Sequence, residues 1–297
     1  MLHTSFPSDK PSLSPMEFVK RRLSRIYPFY WFCLIVTLSL WSAGLYRKLD
    51  PTLWTVVRAF LLLPTDYPII GVSWTLVYEM YFYCIFACAL ALKSRLASAL
   101  ASSATIMLLL AVSIRLAGTD AFLGNPIVLE FCFGMLLAYA FSQGWLPDVI
   151  LRYGWAVGSA MLVLASFYAA HDTTNGLSAA TRWIAWGVPA LFVVASSLQF
   201  RATGSAFRKL QILIGDASYA IYLTHPFVMI AYAKLLHDHP KLLQTSQLPF
   251  VPFVFMIAIV GGIFAHIFVE RPLMDAARKR VISNKSARLA RRQHEIF

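Results

Sequence analysis

The sequence predicts an all-α fold, a polytopic bundle of about eight transmembrane helices, and three observations carry that prediction. Of 297 residues, 59% are hydrophobic and only 13% are charged, with a mean hydropathy of +0.64. A soluble domain sits nearer half apolar and a quarter charged. The apolar residues are also gathered into runs, among them Tyr27–Leu40, Met107–Val112 and Phe250–Val269, which read as spans in a window of about 19 residues. Third, the net charge of +12 is concentrated where alternate loops fall. In a soluble protein such an excess points to nucleic acid. In a membrane protein it marks cytoplasmic loops, and no nucleic-acid partner is expected.

In chain order, the first 26 residues are polar and lack the apolar core of a signal peptide. Spans are expected at roughly 27–44, 73–92, 96–116, 121–142, 154–170, 181–199, 211–235 and 249–270. The stretch 53–63 is bounded by Pro51 and Pro64 and is too short to cross, so an interfacial helix is expected there. With Lys20-Arg21-Arg22 and Arg25 set inside, alternation brings Lys93/Arg95, Arg152, Arg201/Arg208/Lys209 and the tail from Arg271 to the same side. That is most of the 26 Lys and Arg, and it predicts that both ends of the chain are cytoplasmic.

Four cysteines, Cys33, Cys84, Cys88 and Cys132, fall inside apolar runs and read as small buried hydrophobes. No metal set is expected. Glu79, in Ser73-Trp74-Thr75-Leu76-Val77-Tyr78-Glu79, is the first anomaly. A carboxylate inside a span costs roughly 2.5 kcal/mol or more and requires a partner or a water-filled cleft. Thr75, Glu79 and Phe82 share one helix face, and the flanking Trp and Tyr suit either a sugar-sized cleft or a packing contact.

His225 is the second anomaly. Ser218, Tyr222 and His225 follow i, i+4, i+7 and form one polar stripe, while Pro226 removes a donor and favours a kink. The third is Arg22 and Arg25, one turn apart at the start of the first span. Cations there oppose the helix dipole, so lipid headgroups or a phosphorylated ligand should answer them. His266 and Glu270 read as a helix-end ion pair, and Asp50 and Asp66 as solvated loop residues.

The residues from Phe18 to Pro28 carry Arg-x-x-Arg at Arg22 and Arg25, and Ser73-Trp74-Thr75-Leu76 is followed by Glu79 and Phe82-Tyr83. Ser218-Tyr219 leads on to Tyr222-Leu223 and His225, and Glu270-Arg271-Pro272 closes the series. Taken in order over residues 18–272, these segments resemble the acyltransferase-3 family of bacterial membrane O-acyltransferases. The wording around Trp74 and Glu79 is most similar to exopolysaccharide acetyltransferases of the succinoglycan type.

The resemblance implies transfer of an acetyl or other acyl group from cytoplasmic acyl-CoA, with acetyl-CoA as the donor. The acceptor would be a hydroxyl of a cell-surface polysaccharide or its lipid-linked precursor. It implies a bacterial inner-membrane location, with the lipid bilayer, a glycan acceptor and polysaccharide-assembly proteins as partners. Arg22 and Arg25 would contact the CoA phosphates, and Glu79, Trp74 and His225 would form the reaction centre. Ser73, Tyr78, Ser218 and Tyr222 would support the acceptor side.

Family members carry two further spans at the start, the first bearing the catalytic His. This chain opens at Met1-Leu2-His3-Thr4, in what corresponds to the loop after the second span, and His3 does not match that position. The expectation is an acyltransferase domain over residues 1–275 that lacks its first two helices, then a basic cytoplasmic tail over 276–297. Glu79 or His225 would then have to act as base, in a chain of impaired activity. Two other classes stay open: a transporter or flippase for a lipid-linked sugar, with Glu79 and His225 as relay groups, and a non-catalytic remnant or scaffold.

Overall fold

The computed structural model describes residues 14–45, 51–171, 179–198, 205–239 and 250–277. His3, Asp50, Arg201 and the tail beyond 277 lie outside these residues. Among the described residues 86% are helical and none is in a strand. The helices are α1 (Pro15–Ser42), α2 (Leu53–Leu61), α3 (Trp74–Ala89), α4 (Arg95–Ala117), α5 (Leu129–Ser142), α6 (Asp148–His171), α7 (Val188–Ser197), α8 (Ser205–Asp238) and α9 (Val251–Ala265). A π turn, His266–Glu270, extends α9, and a second π turn, Trp183–Gly187, leads into α7.

Among the described residues five stretches are long and apolar enough to cross a membrane: Pro15–Ser42, Trp74–Leu92, Arg95–Ala117, Asp148–Ala169 and Val251–Ala277. Pro126–Ser142 and Trp183–Ser197 are shorter apolar helices. The stretch expected at 121–142 opens instead with two 3-10 turns, Phe122–Gly124 and Pro126–Val128, because Pro126 takes the first position of a new turn capped by Asn125. α8 is 34 residues long and continues through Pro226. The first helix begins earlier than the apolar run does. Ser14 caps it, accepting from the Glu17 amide at 3.2 Å, with Pro15 at the first helical position and Glu17 in the first turn, the order of a capping box.

The described residues form two compact units. The first contains residues 1–19 and 78–201. Its aromatic core stacks Phe82 on Phe131 with centroids 4.6 Å apart and Tyr78 on Phe122 at 4.5 Å, and Phe18 meets Phe86 at 5.2 Å. The Ser98 hydroxyl donates to the Ala89 carbonyl at 2.8 Å, which ties the start of α4 to the end of α3. α6 and α7 meet backbone to backbone at Gly154-Trp155-Ala156-Val157-Gly158. A Cβ at Gly154 would stand 2.7 Å from the Phe192 carbonyl oxygen, and one at Gly158 would stand 2.6 Å from that of Pro189. This is the small-xxx-small solution to helix packing in lipid, where bare surface allows close approach. Cys33 and Cys132 are buried, but Cys84 and Cys88 are exposed, contrary to the expectation for all four. In a bilayer an exposed apolar thiol meets lipid without penalty.

The second unit contains residues 20–77 and 202–297. Its defining feature is the end of α2. A helix leaves its last four carbonyls without intrahelical partners, and here each one is satisfied. Arg58 O accepts from the Leu63 amide at 2.9 Å, and Ala59 O from the Leu62 amide at 3.1 Å. Three side chains of α1 supply the other donors: Tyr30 Oη to Ala59 O at 2.8 Å, Trp31 Nε1 to Phe60 O at 3.0 Å and Tyr27 Oη to Leu61 O at 3.0 Å. Tyr27, Tyr30 and Trp31 stand at i, i+3, i+4, one face of α1. Leu62 takes a left-handed conformation, φ 52°, which a leucine rarely adopts, and its side chain is buried. α8 and α9 approach as closely as α6 and α7, since a Cβ on Gly262 would lie 2.4 Å from Ile221 Cγ1 and 2.5 Å from its Cα.

Gly158→Ala and Gly262→Ala should each destabilise the protein by about 1–3 kcal/mol through overpacking. Gly261→Ala, with nothing within 4 Å of its added methyl, should leave stability unchanged. Thermal unfolding in detergent micelles measures all three, and equal midpoints for the Gly261 and Gly262 variants would overturn this account of the α8–α9 contact. Tyr30→Phe, which removes one donor from the α2 terminus, should cost about 1 kcal/mol in the same assay.

Candidate active site

The segment from Ile69 to Ser73 leads into α3, and Ile69, Ile70 and Ser73 are buried in the second unit. Buried backbone in a turn needs partners for its polar groups. The Ser73 amide donates to Ile70 O at 2.8 Å. Val72 O accepts from Tyr222 Oη at 2.7 Å and lies 3.2 Å from Thr75 Oγ1, while Thr75 Oγ1 and Tyr222 Oη are 2.6 Å apart. With Tyr222 donating to Val72 O, Thr75 donates to the Tyr222 oxygen, and every proton is used.

Tyr222 therefore fixes the residues on both sides of Trp74. Trp74 itself is half-buried as the first residue of α3. One turn before Tyr222 on α8, Tyr219 Oη donates to Ile26 O at 2.9 Å, and its ring meets Phe29 edge-on at 6.0 Å. Ile26 follows Arg25 directly, so α8 grips α1 beside the arginine pair. Arg22 is half-buried and Arg25 exposed, one turn apart as the spacing predicts.

The stripe expected at Ser218, Tyr222 and His225 is only partly assembled. His225 packs its ring 5.8 Å from that of Tyr222, but Ser218 is exposed, and the residue that acts beside Tyr222 is Tyr219. Spacings of both i+3 and i+4 stay on one face, and sequence alone did not choose between them. Thr75 and Tyr219 lie within the sequence motifs but were assigned no role there. Their signal is the placement of a hydroxyl against a carbonyl of another element, which only tertiary packing creates.

In the first unit, Glu79 is half-buried and its carboxylate accepts a hydrogen bond from Tyr83 Oη, the partner that a carboxylate in a span requires. Tyr78 is buried against the Phe122 ring. Among the described residues no group of three or more His, Cys, Asp or Glu is placed to hold a metal ion. Asp66 is exposed.

His266 and Glu270 exceed their expectation as a helix-end pair. They are 7% and 1% exposed, with Nδ1 and Oε2 2.7 Å apart. The π turn over His266–Glu270 accompanies this burial, and turns of that kind recur at functional sites. Nothing in the local sequence announces it.

Comparison with known proteins matches residues 4–267 to the acyltransferase domain family. The chain is 30% identical over 289 residues to the exopolysaccharide production protein ExoZ of Rhizobium meliloti (strain 1021), a match that covers 93% of this chain and 86% of that protein. No solved structure matches the chain significantly. With a family match over most of its length and that relative beside it, this multi-pass membrane chain belongs to the acyltransferase-3 family.

Proposed function

We propose that this protein moves an acetyl group from cytoplasmic acetyl-CoA to a hydroxyl of an exopolysaccharide or its lipid-linked precursor. The observation that carries the reading is the binding of α8 to both chemistry-bearing segments. Tyr219 is bonded to α1 beside Arg22 and Arg25, and Tyr222 is bonded to the turn that presents Trp74. The family and the name of the exopolysaccharide relative support the reaction class and the acceptor. The distribution of Lys and Arg supports an inner-membrane protein with both ends of the chain in the cytoplasm.

The reaction needs three things of the protein. It must bind the donor's phosphates, take a proton from the acceptor hydroxyl and stabilise charge on the thioester oxygen. Arg22 and Arg25 fill the first role, since two guanidiniums in register suit phosphate geometry. The acceptor oxygen forms a bond to the thioester carbonyl carbon, the carbon–sulfur bond breaks, and the CoA thiolate leaves and takes up a proton. Glu79 takes the hydroxyl proton in this reading, a role that rests on the family resemblance, and the hydrogen bond from Tyr83 holds its carboxylate in one orientation. His225, against Tyr222, is the second candidate base. Trp74 offers an indole face for a sugar ring, while Ser73, Tyr78, Ser218 and Tyr222 support the acceptor side.

Membranes containing the protein should transfer label from [acetyl-14C]acetyl-CoA to polysaccharide. Glu79→Ala should lower that transfer about a hundredfold if Glu79 is the base, and Arg22→Ala about tenfold, with insertion unchanged. Normal labelling by both variants would sink the assigned site. Label incorporated without either residue, yet lost in His225→Ala, would move the base to His225.

A further inference from the structure

Glu130 sits in the first turn of α5 and is exposed. The helix dipole favours an acidic residue there, but that does not account for how this side chain is seated. It lies across the bare backbone of Gly187, where an added methyl would stand 3.0 Å from Glu130 Cγ and Oε1 and 3.3 Å from Cδ. Gly187 is buried and closes the π turn Trp183–Gly187, a geometry that recurs at functional sites. At the other end of that turn, the half-buried Trp183 ring meets Phe133 at 5.8 Å. Glu130 and Phe133 share one face of α5 at i, i+3, so a carboxylate and an indole are held about one turn apart where α5 meets the π turn. α3 lies against the same stretch of α5, since Phe82 stacks on Phe131 at 4.6 Å with the ring planes 4° apart. Glu79 shares a face with Phe82, which sets this junction beside the helix that carries Glu79. All of these residues belong to the first unit.

A sugar ring presents hydroxyl donors around its rim and C–H bonds on its faces. An ionised carboxylate is a strong acceptor for such hydroxyls, and an indole offers a broad apolar face at low entropic cost. Ligand sites combine an apolar surface with a few polar groups held in place, and the glycine seat holds Glu130 while leaving its carboxylate exposed. We propose that Glu130 and Trp183 form a glycan-binding subsite, which holds a sugar residue of the acceptor next to the one that is acetylated. Glu130 accepts the hydroxyls of that residue, and Trp183 lies against its ring. Neither touches a reacting atom. The inference rests on the acceptor reading above and adds to it the side chains that recognise the polymer beyond its reactive hydroxyl.

The test uses the intact chain in lipid nanodiscs. The probe is a set of oligosaccharides cut from the host's own exopolysaccharide and stripped of acetyl groups by mild alkali. Transfer from radiolabelled acetyl-CoA is followed against oligosaccharide concentration, and calorimetry measures binding of the same probe without the donor. Glu130→Gln, which keeps the shape of the side chain, should raise the acceptor KM and weaken binding about tenfold, as expected for lost hydrogen bonds to a charged group. Trp183→Ala should do the same, and Trp183→Phe should recover part of the loss. The KM for acetyl-CoA should keep its parent value in each variant. If the parent acetylates the oligosaccharides and both Glu130→Gln and Trp183→Ala match its acceptor KM and affinity, this inference falls while the acceptor reading stands. A loss shared equally by donor and acceptor, or a fall in kcat alone, marks a structural role and also overturns it. A parent that neither binds nor acetylates the oligosaccharides removes the acceptor reading and this inference with it. Should Trp183→Ala fail to insert, Glu130→Gln and Trp183→Phe carry the comparison, and an unchanged acceptor KM in both overturns the proposal.

Discussion

The arrangement of the second unit depends on how a helix that ends beside membrane-spanning helices disposes of its carbonyls. In hydrocarbon each unsatisfied backbone group costs several kcal/mol, and α2 stops after nine residues. Two amides of its own C-terminal turn and three donors from α1 close that end. Each bond is worth about 1 kcal/mol net, but leaving any one unmade costs more than making it returns. Tyr27, Tyr30 and Trp31 are thus held to one face of α1, and α1 is fixed in rotation about its axis. The neighbouring turn of α1 carries Arg22 and Arg25, so the clamp also fixes the side of α1 from which those two residues leave the helix.

The same device recurs on α8. Tyr219 donates to Ile26 O and Tyr222 to Val72 O, each a phenol that crosses between elements to a backbone carbonyl. Tyrosine suits this work because its ring packs as a hydrophobe while its hydroxyl reaches a polar target. The consequence is functional. Segments far apart in the chain, at residues 22–26, 72–75 and 219–225, are held together by bonds with a defined direction. Directional bonds preserve geometry better than apolar packing does, and preorganised donors are what acyl transfer requires.

Where backbones meet directly, glycine does the work that tyrosine does elsewhere. Gly154 and Gly158 let α6 lie against α7, and Gly262 lets α9 lie against α8. In lipid there is little hydrophobic gain from helix association, so van der Waals contact at short range supplies the attraction. The buried His266–Glu270 pair is a consequence of such packing. Close approach excludes solvent from around Glu270 and leaves His266, 2.7 Å away, as its partner.

Composition, run length and charge asymmetry were enough to read a helical membrane protein from the chain, because a bilayer tolerates few architectures and each leaves a long apolar signature. Arg22, Arg25, Trp74, Glu79, Tyr222 and His225 could be singled out as candidates, since charge or polarity within an apolar run or at its start is conspicuous. Several features were not. The shortened helices at Pro126 and Trp183 depend on 3-10 and π turns, and Cys84 and Cys88 are exposed. The choice of Tyr219 over Ser218, the bond from Thr75 and the burial of Glu270 are relations between elements. The sequence by itself determined which residues are costly to place in lipid, a property of each side chain and its neighbours along the chain. Only the tertiary structure decided which partner offsets that cost, because a hydrogen bond or an ion pair depends on a distance that the one-dimensional order does not contain.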